Sequence, residues 1–188
     1  PEYYLSNPLE ILKVYKGGLA SHGAAIGILL SLALYVKKKK GYSYLWLLDR
    51  IVLAVALGAS FIRIGNLFNS EILGVETTLP WSFVFLRIDE VARHPAQLYE
   101  AIAYLITFLV LYTLYLKKWK ELNNGFIFGL FMIMIFGSRF IIEFVKENQT
   151  YFEASMPLNM GQILSIPLII AGVYLVVTRR KQGIKSPA

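Results

Sequence analysis

Long apolar runs punctuated by lysine clusters organise this chain. A helix needs roughly 20 mostly apolar residues to cross a hydrocarbon core about 30 Å thick. Five stretches approach or meet that length, at about 19–36, 46–68, 95–116, 125–145 and 160–178. The first stops at Lys37, Lys38, Lys39 and Lys40, the third at Lys117, Lys118 and Lys120, and the fifth at Arg179, Arg180 and Lys181. The second carries Arg63, and the fourth carries Arg139 and Glu143. The pattern predicts an all-α integral membrane protein, a polytopic bundle of five transmembrane helices in one domain over 19–178. Residues 37–45 and 117–124 are then short turns, and 69–94 and 146–159 are loops on the opposite side. Within the longer loop, Trp81 to Leu86 alternates weakly, as a short strand or an interfacial segment does. Residues 1–18 set Leu5, Leu9, Leu12 and Val14 against Glu10, Lys13 and Lys16, an amphipathic segment suited to a membrane surface.

The basic residues orient the bundle. Lysine and arginine collect on the cytoplasmic side of membrane proteins. The clusters after spans one, three and five fall on one face, and Arg50 joins them. Seven basic residues lie elsewhere: Lys13, Lys16, Arg63, Arg87, Arg93, Arg139 and Lys146. The expectation is a multi-pass protein of a bacterial cytoplasmic (inner) membrane. Its two longer loops face out, and the basic tail 179–188 lies in the cytoplasm.

Composition narrows the chemistry. The chain has 188 residues, 56% hydrophobic and only 16% charged, with no cysteine and a net charge of +7. Apolar content excludes disorder. The missing cysteine excludes a disulfide scaffold, a thiolate zinc site and a thiol nucleophile of the protein's own. The positive charge follows from topology and attraction to anionic headgroups, so no nucleic-acid partner is implied. No HExxH helix, paired-carboxylate metal set or P-loop occurs, so no metal or nucleotide cofactor is expected.

Ionisable groups inside the spans call for an explanation, because hydrocarbon penalises them. Gly17-Gly18-Leu19-Ala20-Ser21-His22-Gly23 opens span one. His22 serves there as a proton acceptor near neutral pH, or as a hydrogen-bonded histidine in a glycine packing patch that includes Gly23 and Gly27. Arg63, Asn66 and Asn69 or Ser70 share one helix face, with Glu71 beyond. A guanidinium flanked by carboxamides suits a phosphate, although Arg63 near a span end also suits snorkelling to headgroups. His94-Pro95-Ala96-Gln97-Leu98-Tyr99-Glu100 opens span three, with His94 at the N-cap and Pro95 at the first helical position. Arg139 and Glu143 stand four apart, as a structural ion pair or as half of an anion site between spans two and four. These sets admit direct transfer on a bound anionic lipid. The runner-up is a lipid or anion transporter, and a third reading is a non-catalytic scaffold.

Five stretches together resemble the prolipoprotein diacylglyceryl transferase family. They are Gly18–Gly23, Arg63–Gly74, His94–Glu100, Arg139–Phe144 and Met160–Pro167, in the family's order. The resemblance implies transfer of the diacylglyceryl group of phosphatidylglycerol to the lipobox cysteine of a prolipoprotein signal peptide. A thioether forms, glycerol 1-phosphate leaves and no cofactor is needed. It implies that His22 assists thiol deprotonation, with His94 as the competing base, and that Arg63 and Arg139 hold the lipid phosphate and leaving group. Asn66, Glu71, Gly74 and Glu143 shape that site, and Gly23, Asn69, Gln97 and Tyr99 join the substrate-binding set. Residues 69–93 and 1–18 correspond to the outer region that receives the preprotein. The family fold has seven spans, so these five imply that an N-terminal pair is missing. Residues 1–188 alone are expected to be inactive.

Overall fold

The computed structural model describes residues 21–39, 41–147 and 156–179. Expectations for the amphipathic segment 1–18, for residues 148–155 and for the tail beyond Arg179 lie outside the described residues. Five helices appear among those described: α1 Ser21–Lys38, α2 Tyr44–Asn69, α3 Ala96–Lys118, α4 Phe126–Ile142 and α5 Met160–Thr178. Between α2 and α3 lie two-residue strands, β1 Phe83–Val84 and β2 Ala92–Arg93, and a 3-10 turn, Glu143–Val145, follows α4. Helices α2, α3, α5 and α4 with its turn are long and apolar enough to cross a membrane. Helix α1 is not among these four. It has 18 residues and carries Lys37 and Lys38 in its last turn, which shortens its apolar stretch.

The chain forms two compact units, 1–44 and 45–188. In the first, α1 leaves Ile26, Leu30 and Leu34 exposed, and the Tyr44 hydroxyl donates to the Leu29 carbonyl at 3.1 Å. Among the described residues, a Cβ at Gly23 or Gly27 would meet nothing within 4 Å.

The second unit is an antiparallel bundle with its polarity turned inside out. Gln97, Glu100 and Thr107 of α3 are buried, while Ile102, Ile106 and Leu109 of the same helix are exposed. In water this arrangement is costly, whereas lipid favours it, because lipid solvates apolar surface and not ions. Val52 and Ala56 of α2, Tyr104 and Leu111 of α3, and Ile127, Phe131, Met132 and Ile135 of α4 form the core. Helices α4 and α5 cross at a pair of glycines. A Cβ at Gly172 would lie 2.7 Å from the Gly129 carbonyl, and one at Gly129 would lie 2.9 Å from the Gly172 carbonyl. Small residues allow this approach where lipid supplies no hydrophobic drive between helices.

Polar contacts fix α2 at both ends. Asp49 accepts from the backbone N–H groups of Gly125 and Phe128, each at 2.7 Å, and so caps α4 from a neighbouring helix. Near the other end, the Ser60 hydroxyl donates to the Ala101 carbonyl at 2.8 Å. The α2–α3 connection is a folded loop. Phe83 pairs with Arg93 and Val84 with Ala92, so the alternating Trp81–Leu86 stretch does contain a strand. Gly74 bridges to Lys146, with Val75 N–H donating to Val145 and Glu147 N–H to Leu73.

Candidate functional site

The site grows from the facing ends of α2, α3 and α4. Arg63 lies three turns along α2 from Val52, on the side that meets α3. There its Nε pairs with Glu100 Oε2 at 2.9 Å. Glu100 is fully buried, and its other oxygen lies 3.5 Å from Lys146 Nζ and 3.4 Å from the donating Tyr104 hydroxyl. Lys146 Nζ also reaches Glu143 Oε2 at 3.0 Å, and Arg139 Nε stands 3.9 Å from that oxygen. The result is one continuous chain of charge, Arg63–Glu100–Lys146–Glu143–Arg139, across three elements. Three cations face two carboxylates, so the chain carries one surplus positive charge in a poorly solvated place. Such a set attracts an anion, because a low dielectric strengthens every uncompensated charge.

Local sequence explains the placement. The 3-10 turn ends α4 at Glu143, and the extended backbone at Lys146 returns that side chain toward Glu143. Helix α5 begins with a capping box, Asn159 accepting from Gln162 N–H while the Gln162 side chain accepts from Asn159 N–H. This sets Gly161 against Glu143. A Cβ there would sit 2.6 Å from the Glu143 carboxyl carbon, so only glycine leaves room for the carboxylate at the helix's positive end.

A second ring braces Arg63. Its Nη1 makes a long 3.5 Å bond to Asn66 Oδ1, and Asn66 Nδ2 donates to Glu71 Oε2 at 2.7 Å. The Glu71 carbonyl accepts from Gln97 Nε2 at 2.6 Å, and Gln97 lies one turn before Glu100. The linking backbone is unusual: Ser70 and Ile72 have φ of 57° and 58°. A β-branched residue in the left-handed region is strained, and it stands beside candidate site residues. Gly74 follows, packed so tightly that a Cβ would strike the His94 carbonyl.

His94 and Tyr99 form a separate pair, with His94 Nδ1 3.2 Å from the Tyr99 hydroxyl. The Trp81 indole donates to the same hydroxyl at 2.8 Å. Indole only donates, so the phenol O–H remains available to Nδ1.

The structure therefore brings together Arg63, Asn66, Glu71, Gln97, Arg139 and Glu143, and places Gly74 tightly against His94. Glu71 bonds Asn66 rather than Arg63. His94 is not an N-cap: α3 starts at Ala96, Pro95 occupies the cap position and no side chain caps the helix. Asn69 is exposed at the end of α2 and outside the charge chain. His22 belongs to α1 in the other unit, and its side chain lies outside the described residues. Sequence reasoning gave no site role to Glu100, Lys146 or Tyr104. Three charges within Arg139–Lys146 were a visible signal for Lys146, whereas nothing local signalled the pairing of Glu100 with Arg63. Among the described residues, no group of three or more His, Cys, Asp or Glu is arranged to hold a metal ion.

Inverted polarity and four membrane-length helices among the described residues define a multi-pass helical membrane protein. A family model described as prolipoprotein diacylglyceryl transferase matches residues 2–178. The phosphatidylglycerol–prolipoprotein diacylglyceryl transferase of Tolumonas auensis is 46% identical over 182 residues, covering 97% of this chain and 70% of the relative. That of Bacteroides fragilis is 50% identical over 186 residues, covering 93% and 67%. That of Chloroherpeton thalassium is 46% identical over 184 residues, covering 97% and 68%. The chain belongs to the prolipoprotein diacylglyceryl transferase family, and its class is that of a membrane transferase.

Proposed function

We propose that this protein transfers the diacylglyceryl group of phosphatidylglycerol to the lipobox cysteine of a prolipoprotein signal peptide, the first step of bacterial lipoprotein maturation. The observation that carries the reading is the charge chain: two arginines, each paired with a buried carboxylate and linked through Lys146, with one positive charge in excess. A phosphodiester headgroup supplies the matching anion. In the reaction, the cysteine sulfur attacks the diacylglyceryl carbon that bears the phosphate. The carbon–oxygen bond breaks, and its electron pair leaves with glycerol 1-phosphate. The thiol proton passes to a base. Arg63 and Arg139 stabilise the charge that builds on the departing phosphate, the step where preorganised donors contribute most.

Two histidines compete for the proton. His22 is the first candidate and His94 the second, since the Tyr99 hydroxyl already faces His94 Nδ1. Asn66, Glu71 and Gln97 orient Arg63, and Gly23, Gly74, Asn69 and Tyr99 complete the substrate-binding set. The site faces the outer side of the bacterial inner membrane, with the basic C-terminus in the cytoplasm, as the distribution of lysine and arginine supports. One assay tests the reading. The intact protein, purified with the upstream spans that the family fold implies, receives phosphatidylglycerol and a lipobox peptide, and glycerol phosphate release and peptide mass are followed. Both products should appear in equal amounts, and lipid movement without either would overturn the assignment. A pH–rate profile for His22→Gln against His94→Gln then assigns the base. The variant that loses the ascending limb identifies it.

A further inference from the structure

Lys146 occupies the middle of the charge chain. Its side chain is 3% exposed, and its ammonium lies 3.0 Å from Glu143 and 3.5 Å from Glu100. The ammonium between them offsets the repulsion of two like charges, which is strong in a poor solvent. A lysine fits the task because its compact ammonium can direct separate N–H groups at two acceptors. The backbone holds it from both sides, through the Gly74 bridge and the Val75–Val145 and Glu147–Leu73 hydrogen bonds.

The consequence reaches both arginines. Lys146 shares Glu143 Oε2 with Arg139, and on Glu100 it meets the oxygen opposite the one nearest Arg63. Arg63 also reaches Asn66 Oδ1 through Nη1 at 3.5 Å. Remove the ammonium, and the two carboxylates are left with the two arginines and the Tyr104 hydroxyl. Each pair then closes on itself, and the surplus charge vanishes.

We infer that Lys146 is a positioning residue that, by bridging Glu100 and Glu143, sets the placement of Arg63 and Arg139 for one shared phosphate. It touches neither lipid nor thiol and acts through Glu100 and Glu143. The inference deepens the proposed reaction and rests on it for its kinetic test.

Lys146→Met, Lys146→Gln and Lys146→Arg, purified as the intact protein, separate the possibilities. Phosphatidylglycerol and acceptor peptide are varied independently. Lys146→Met should raise KM for the lipid and lower kcat, together on the order of 100-fold in kcat/KM, with KM for the peptide unchanged. Lys146→Arg should recover to within about tenfold of wild type, because the charge is restored. Should the methionine variant fail to accumulate, the glutamine variant carries the same expectation. A fall in kcat with both KM values unchanged would mean fewer folded molecules and would overturn the inference, as would unaltered kinetics. Binding of glycerol 1-phosphate, followed by phosphorus NMR without turnover, should weaken about tenfold in Lys146→Met. If the wild type binds this anion in a Lys146-dependent way but transfers nothing, the reaction is wrong and the positioning role stands. If binding ignores Lys146, the positioning role is wrong whatever the reaction.

Discussion

Helix α2 carries buried ionisable groups at both ends, and the two ends resolve them differently. At the end near Gly125, Asp49 takes two backbone N–H groups of α4. Arg50 beside it donates to the Trp46 carbonyl at 2.8 Å and lies 3.4 Å from the Trp46 ring centroid, with Tyr115 and Trp119 further out. Every charge there is answered by a dipole, a ring or a carbonyl, and no net demand remains. At the other end, charges answer one another along Arg63–Glu100–Lys146–Glu143–Arg139, where three cations share two carboxylates. Gln97 adds a buried side-chain oxygen with no hydrogen-bond partner among the described residues. Intramembrane charge alone therefore does not mark function. Incomplete satisfaction separates the two ends, because an uncompensated group in a poor solvent is held at a cost that a ligand can relieve.

The sharpest way to break this contrast is to delete a charge at each end. Arg63→Ala or Arg139→Ala should lower kcat/KM for phosphatidylglycerol by about a thousandfold or more while thermal unfolding shifts little. Asp49→Ala should do the reverse. It removes two charge-assisted bonds from a buried helix start, costing about 2–4 kcal/mol of stability, with kcat of the surviving folded protein near wild type. The checks are steady-state kinetics and a thermal melt on the same preparations. If Arg63→Ala keeps its activity, or Asp49→Ala loses activity without loss of stability, the two ends are not different in kind. Gly161→Ala is a subtler probe of the open end. The added methyl displaces the Glu143 carboxylate and should reduce kcat about tenfold, without loss of membrane insertion.

The same contrast explains what was readable in the sequence. Helix limits followed from apolar length: α5 lies at 160–178 as expected, and α2 extends only a residue or two beyond 46–68 at its two ends. The Arg63–Asn66–Glu71 grouping was readable because it is local and helical. The decisive partner of Arg63 is Glu100, on another helix, and no spacing rule reports such a pair. Arg139–Glu143 was readable as a four-residue pair. Yet Lys146 takes that carboxylate at 3.0 Å against 3.9 Å for Arg139, because the 3-10 turn brings it closer. Reading Lys146 as an ordinary loop cation missed this change of helix type. His94 as an N-cap failed because the helix begins one residue later than the Pro95 rule suggested. The ring instead meets Tyr99, which the Trp81 indole holds from the loop.

The smallest expected effect lies at the rim of the open end, in the loop that carries β1 and β2. Arg93 is paired there with Asp89 at 2.6 Å and also with Glu147, tying β2 to the segment that holds Lys146. The hydrogen bonds from Arg93 and from Val91 N–H hold the Asp89 carboxyl below its ordinary range. A lowered folded pKa means that the carboxylate is favoured on folding. Its contribution is full above the unfolded value of about 4, and it fades as pH falls through the lower folded value. Wild type should therefore be slightly more stable than Asp89→Asn at neutral pH, and the gap should close on acidification below about pH 4. Thermal midpoints of the two proteins across pH measure it. The Asp89 carboxylate is at the surface, so the gap should also narrow in high salt. A gap that persists unchanged at low pH would show that Asp89 acts through packing. A gap as large as that of Asp49→Ala would show that the rim is fixed as firmly as the closed end, and the open end would then be open only at its centre.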